Sequence, residues 1–297
     1  MSLVGASGHI CNARPMSDIQ VWVNGRIVGA DEPSVRALDH GVTVGDGAFE
    51  TCKIVDGEAF AMTRHLRRLG RTLSGLGLPP IDDALVREGV KEVLATGDQI
   101  AFGRVRITVT GGAGPLSSDR HDSPPTVIIA STPSKPHDPS AAVVTVPWVR
   151  NERAATAGLK TTSYAENVIA ITHANSRGAA EALLANTRGE LCEGTASNVF
   201  VVTDGVLRTP PLESGCLAGI TRELAIEWCR DAGIEVVEET MPFDVLDTAD
   251  EVIITNSSRD VQGVHLVDDR RLDAPGPVTR RAVEIWRTAE ADLGMDP

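Results

Sequence analysis

Three dipeptides constrain the fold of this chain most strongly: Asn24-Gly25, Asp56-Gly57 and Asp204-Gly205. Asn or Asp followed by Gly accepts two successive left-handed residues, the backbone of a two-residue hairpin. Each pair lies between apolar-rich runs. Ile19, Val21 and Val23 alternate with Gln20 and Trp22, and the chain returns through Arg26-Ile27-Val28. Ala48 to Val55 returns through Glu58 to Met62, and Asn198 to Thr203 through Val206 to Thr209. Antiparallel sheet is therefore expected in both halves of the chain.

Helical periods separate these hairpins. Leu66, Leu69, Leu73 and Leu76 recur at helical spacing behind Thr63, a candidate cap, and Gly77 with Pro79-Pro80 stops the helix. Arg64, Arg67, Arg68 and Arg71 are expected on its opposite face, either solvated or holding an anion. A second amphipathic helix spans about Asp82 to Ala95. Arg104 to Thr110 reads as a strand with Arg104 and Arg106 on one face, ending in a flexible loop, Gly111 to Pro115. Leu38 to Gly47 is glycine-rich without a clear period. Thr126 to Ala130 is a short buried strand.

Ser131 to Ser140 holds three prolines and no period, which suits a linker. Beyond it come a strand over Ala141–Val149, a helix over Ala165–Arg177 and a strand over Glu181–Asn186. A helix enters at Gly219-Ile220-Thr221, with Leu224, Trp228 and Cys229 inward. Strands follow at Glu235–Val237 and Glu251–Thr255, and Pro277 opens a last helix to about Leu293. The expected organisation is α/β: an N-terminal extension (1–18), a smaller α/β domain (19–131), a linker (132–140) and a larger α/β domain (141–297).

A net charge of −13 with no basic run argues against nucleic acid and anionic membrane as partners. No apolar run reaches the length of a membrane span, and Met1 to Pro15 lacks the pattern of a secretory signal. The five cysteines are widely spaced without a CxxC pair, as expected of reduced thiols in a cytoplasmic protein. Phosphate-loop, HExxH and GxSxG motifs are missing, and the seven histidines form no metal-spaced cluster. These absences leave little support for metal hydrolysis, nucleotide hydrolysis or serine acyl transfer.

What remains is a set of scattered candidates. Lys160, one of four lysines, sits in Gly158-Leu159-Lys160-Thr161-Thr162-Ser163-Tyr164, which contains no other charge. A buried lysine with few counter-charges becomes a nucleophile near neutral pH, as a Schiff-base lysine must. Glu193 precedes an apolar strand, where a carboxylate could pair with a protonated ring nitrogen. Ile220 and Thr221 open a helix whose free N–H groups make an anion seat. Ser257 and Ser258 follow the apolar run Val252-Ile253-Ile254. Taken singly, each is an ordinary loop lysine, cap or turn.

Their order along the chain resembles the class IV pyridoxal-phosphate enzymes, which include branched-chain aminotransferases, D-amino-acid aminotransferases and aminodeoxychorismate lyases. The resemblance runs from about Ile19 to Leu293. It rests on Gly45-Asp46-Gly47-Ala48-Phe49-Glu50, His65-Leu66-Arg67-Arg68-Leu69, Lys160, Glu193 with Ser197-Asn198-Val199-Phe200, Gly219-Ile220-Thr221-Arg222, and Thr255 to Ser258.

The resemblance implies the two-domain fold of that class, with pyridoxal 5'-phosphate between the domains and a homodimer. It implies that Lys160 binds the cofactor and shuttles the proton, and that Glu193 pairs with its ring nitrogen. Arg68, the Ile220 and Thr221 N–H groups and Ser257 would hold the phosphate. Ser258 and Arg106 would lie near the substrate carboxylate, with Tyr164 close by. Tyr164 stands four positions after the lysine, where branched-chain enzymes place a tyrosine at five. The Arg-x-His trap of D-amino-acid aminotransferases is missing from Gly111–Ser118, which argues against that activity. The implied reaction is transamination between an amino acid and a 2-oxo acid. A lyase releasing pyruvate and 4-aminobenzoate is the alternative, and a cofactor-free binding protein on the same scaffold is a third reading.

Overall fold

A computed structural model describes residues 18–297. The expected N-terminal extension lies outside the described residues except for Asp18. The first half of the chain comprises β1 (Gln20–Val23), β2 (Arg26–Val28), α1 (His40–Thr43), β3 (Gly47–Val55), β4 (Glu58–Ala59), α2 (Met62–Leu76), α3 (Asp83–Ala95), β5 (Phe102–Thr110) and β6 (Thr126–Pro133). Its strands form one sheet in the order β2-β1-β6-β5-β3-β4, antiparallel throughout. One face buries Val105, Ile107 and Val109 with Trp22, Ile54, Leu69 and Leu73 beneath α2 and α3. Each large apolar side chain buried there contributes roughly 1.5–3 kcal/mol. Strand alternation then turns Arg104, Arg106 and Thr108 to the opposite face, which becomes one wall of the functional cleft.

The second half comprises β7 (Ser140–Arg150), α4 (Ala165–Ser176), β8 (Glu181–Asn186), β9 (Leu191–Gly194), β10 (Asn198–Thr203), β11 (Val206–Thr209), α5 (Ile220–Asp231), β12 (Val236–Glu238), β13 (Glu251–Asn256), β14 (Asp260–Val267), β15 (Arg270–Arg271) and α6 (Pro277–Leu293). The sheet order is β12-β11-β10-β13-β14-β7-β8-β9, with β15 on β14. The pairs β7–β8, β7–β14 and β11–β12 are parallel and the rest antiparallel. α5 and α6 pack on this sheet through Leu224, Trp228, Ala282 and Trp286.

All three Asx-Gly pairs adopt the expected left-handed turn, with φ of 46° and 96° at Asn24-Gly25, 49° and 85° at Asp56-Gly57, and 53° and 74° at Asp204-Gly205. Several expectations are corrected. Arg68 does not share the solvated face of α2; it is buried, while Arg67 and Arg71 are exposed. Thr63 is not the cap: Ala61 holds that position in a left-handed conformation without a side-chain bond. Asp296 supplies the cap instead, accepting from Thr63 N at 2.8 Å. β4 ends at Ala59 rather than Met62, because α2 begins there. The loop after β5 is tied down, since Ala113 bridges Asp39 and Gly114 N donates to Leu38 O. The segment before β3 contains the short α1, and the linker region contributes strand at both ends, to Pro133 and from Ser140.

Candidate active site

The two sheets face each other across a cleft of about 490 Å³, and all nine residues singled out from the sequence line it: Arg68, Arg106, Lys160, Tyr164, Glu193, Ile220, Thr221, Ser257 and Ser258. β4 pairs only with the far end of β3, which leaves the near end free. The lysine segment fills that edge. Phe49 N donates to Lys160 O at 3.0 Å, Thr162 N donates to Gly47 O at 2.8 Å, and Thr161 bridges Ala48. The main chain of Lys160 is thereby fixed to the smaller sheet while its side chain enters the cleft, with Nζ 4.4 Å from the centre of the Phe49 ring. Burial of the ammonium, aided by the nearby Arg68 charge, lowers Lys160 to about 8.

Arg68 is held from behind. Its Nε donates to Glu50 Oε1 at 2.8 Å and its Nη2 to Glu50 Oε2 at 2.6 Å, a fork-to-fork pair. His65 Nδ1 lies 2.7 Å from the same carboxylate. Burial alone would raise Glu50, but Arg68 and His65 outweigh it and hold the carboxyl well below the usual range. The remaining Arg68 nitrogen, Nη1, donates to Ala218 O at 2.9 Å, which sets the guanidinium beside the start of α5. Gly219, the residue at that helix start, provides no side-chain cap. The N–H groups of Ile220 and Thr221 and the positive end of the helix dipole therefore combine with Arg68 as an anion seat.

Glu193 accepts from Arg150 Nε and from Leu217 N, both at 2.9 Å. Each oxygen keeps a further lone pair for a donor in the cleft. Tyr164 donates to Thr195 O at 3.0 Å and meets Phe49 edge to face at 5.3 Å. Burial, with the Glu193 charge, raises Tyr164 to about 12, so it keeps its proton. Ser258 donates to Asn256 Oδ1 at 3.1 Å and lies 3.3 Å from His137 Nε2. Arg106 stacks on Phe49 at 3.8 Å; its side chain stays open to solvent, and partial desolvation against the cleft wall lowers it from its ordinary value. Among the described residues neither Arg104 nor Arg106 has a carboxylate partner.

Sequence reasoning missed the supporting groups. Glu50 stood inside a quoted motif without a role, and nothing local marks Arg150, which backs Glu193 across the sheet. Two buried hydroxyls lining the cleft, those of Thr195 and Thr255, have no hydrogen-bond partner among the described residues. Such groups cost free energy unless something occupies the space before them. Among the described residues no cluster of His, Cys, Asp or Glu could hold a metal ion, and no helix is long and apolar enough to cross a membrane.

Residues 47–267 match the family described as amino-transferase class IV. The chain belongs to the class IV aminotransferases. A "putative branched-chain-amino-acid aminotransferase" of Methanocaldococcus jannaschii is 31% identical over 284 residues, covering 93% of this chain and 98% of the relative. A "D-alanine aminotransferase" of Staphylococcus aureus is 31% identical over 275 residues, covering 89% and 95%. The branched-chain aminotransferase of Thermoproteus uzoniensis, solved with norvaline, superposes with a TM-score of 0.83 at 30% identity, covering 90% of this chain and 93% of that one. A PLP-bound hypothetical aminotransferase of Mycobacterium tuberculosis superposes with a TM-score of 0.80 at 26% identity, covering 91% and 98%. This class IV aminotransferase is thus an enzyme with the α/β fold of its class, acting on amino and oxo acids. The relatives thus include both a branched-chain and a D-alanine aminotransferase at 31% identity.

Proposed function

We propose that the cleft binds pyridoxal 5'-phosphate and that Lys160 would hold it covalently. The observation behind this reading is a lysine lowered to about 8 in the same cleft as an arginine–helix anion seat and a carboxylate. The partnerless Thr195 and Thr255 hydroxyls fit an occupant with many oxygens, and the PLP-bound neighbour agrees. Arg68, the Ile220 and Thr221 N–H groups and the Ser257 hydroxyl would hold the phosphate.

When bound, the cofactor supplies an electron sink for the substrate Cα. The residues of the chain do the rest. Glu193 would keep a proton on the ring nitrogen, because a carboxylate favours the charged form of a neighbouring base. Lys160 Nζ takes the Cα proton and later returns it. Arg106 and Ser258 orient the substrate carboxylate, and Tyr164, holding its proton, remains a donor.

We also read the two sheets as two domains and the enzyme as a cytoplasmic homodimer. Exposed Val42, Val44, Val168 and Ile169 support a further interface, and four free buried cysteines support a reducing compartment. The test is a panel of L- and D-amino acids and aminodeoxychorismate in single turnover. Transamination converts the bound chromophore and releases a 2-oxo acid. Pyruvate with 4-aminobenzoate would make the enzyme a lyase, and no response to any compound would contradict both.

A further inference from the structure

Lys53 lies outside the residues assigned above. It sits on β3, and its side chain is only 2% exposed. Its ammonium reaches both oxygens of Asp260, at 2.8 and 2.9 Å, and Glu290 Oε1 of α6 at 2.5 Å. Phe60 and Trp286 line its remaining sides, with ring centres at 4.9 and 5.8 Å. A lysine of the smaller sheet is thus sealed into the larger half of the molecule.

Its partner has a particular place. Asp260 is the first residue of β14 and pairs in register with Asn256, the last of β13. Between them run Ser257, Ser258 and Arg259, the turn that presents two hydroxyls to the cleft. Asp260 closes this turn at φ 54°, a conformation few L-residues adopt unaided. On the other side, Asn256 Oδ1 accepts from Ser258 N at 3.0 Å and from Arg259 N at 2.9 Å. The turn is therefore clamped twice, once by Asn256 within its own hairpin and once by Lys53 from the opposite wall.

The opposite wall also carries Arg106. In the β3–β5 register Thr51 faces Arg106 and Lys53 faces Arg104, so all four share the cleft side of that sheet. We propose that Lys53 is a positioning residue: by gripping Asp260 it sets the spacing between the Ser257–Ser258 turn and the Arg106 wall, and so the fit of the substrate carboxylate. The role rests on the reading above that Ser258 and Arg106 meet that carboxylate. Without the ammonium, Asp260 and Glu290, whose charges already act on each other, would lose the cation between them, and the turn would lose its anchor. Burial already raises Asp260 to about 6 despite Lys53, which marks the site as one where a bare carboxylate is unfavourable.

The test uses the holoenzyme and two unreactive carboxylates, 4-methylvalerate and propionate, titrated by calorimetry into wild type, Lys53→Met, Lys53→Arg and Asp260→Asn. The expected result is at least tenfold weaker binding of the better carboxylate in Lys53→Met and Asp260→Asn, with Lys53→Arg within threefold of wild type. In turnover the loss should appear in KM rather than kcat. Should Lys53→Met fail to fold, Asp260→Asn decides, since it keeps the Lys53–Glu290 pair. Unchanged binding in the folded variants, or a loss in Lys53→Arg equal to that in Lys53→Met, would overturn the role. Binding requires no turnover. If wild type transaminated nothing yet bound carboxylate in a Lys53-dependent way, the transferase reading would fall and the positioning role would stand.

Discussion

The two arginines that matter most in this cleft are held in opposite ways. Arg68 is buried, gripped by Glu50 through two nitrogens and tied to Ala218 through the third. Arg106 is exposed and rests on the Phe49 ring, with no carboxylate partner among the described residues. A guanidinium braced from behind presents one geometry and pays its ordering cost during folding. An open one can meet ligands of different shape. The difference fits the roles proposed for them, Arg68 for a group that never changes, such as a cofactor phosphate, and Arg106 for a group that varies.

The largest effect is expected between the two ends, at Glu193. Glu193→Gln keeps the size and one acceptor but removes the charge. The single-turnover rate with the best amino acid should fall about a hundredfold or more, a loss of roughly 2.7 kcal/mol of transition-state stabilisation. Cofactor occupancy, checked by absorbance, should persist, since the Arg68 end is untouched. An unchanged rate would remove Glu193 from the ring nitrogen.

Next come the two arginines themselves. Arg68→Ala should weaken cofactor retention after dialysis by about 2–3 kcal/mol, the scale of a charge-assisted pair. It should also destabilise the fold, because Glu50 is left buried without its main partner. Arg106→Ala should leave retention near wild type and raise KM by about tenfold, on the order of 1.4 kcal/mol. If both variants lost cofactor equally, the contrast between braced and open arginine would fail.

A pH profile sharpens the same contrast. Lys160 is lowered to about 8 by burial and by Arg68, and only its neutral form attacks an aldehyde. Capture of pyridoxal phosphate by the cofactor-free protein should therefore speed up as pH rises and reach half its plateau near pH 8. A midpoint near the ordinary lysine value would mean that the amine is solvated rather than buried. The smallest effect belongs to Arg67→Ala. Arg67 is exposed and pairs with Glu223 at 3.0 Å, so both cofactor retention and stability should change by less than about 0.5 kcal/mol.

Much of this was legible in the residues. The Asx-Gly turns placed three hairpins because few other dipeptides tolerate two left-handed residues in succession. The leucine spacing placed α2 and its inward face, since Leu66, Leu69 and Leu73 are buried, but not the burial of Arg68 beside them. By helical period alone Arg68 is one of four arginines on a face either solvated or holding an anion, because the Glu50 that draws it inward sits on β3 and no helical pattern can reveal it. β14 was missed although it lies in the middle of the larger sheet. Gln262, Gly263 and His265 interrupt its apolar alternation, and Gly263 leaves little room for a side chain: an added Cβ would lie 3.3 Å from Thr279 of α6 and 3.4 Å from Pro275 just before it. The cap of α2 was illegible for a similar reason, since Asp296 is 233 residues from Thr63. Local chemistry could be read along the chain. Partnerships across the fold could not.

The central claim is that Lys160, fixed to the edge of β3, is the residue that bonds the cofactor. Borohydride reduction of the holoenzyme followed by peptide mapping tests it most directly. The account predicts a reduced pyridoxyl group on the peptide containing Lys160 and on no other lysine. A label on Lys53, Lys91 or Lys135, or a cofactor released intact after reduction, would contradict it.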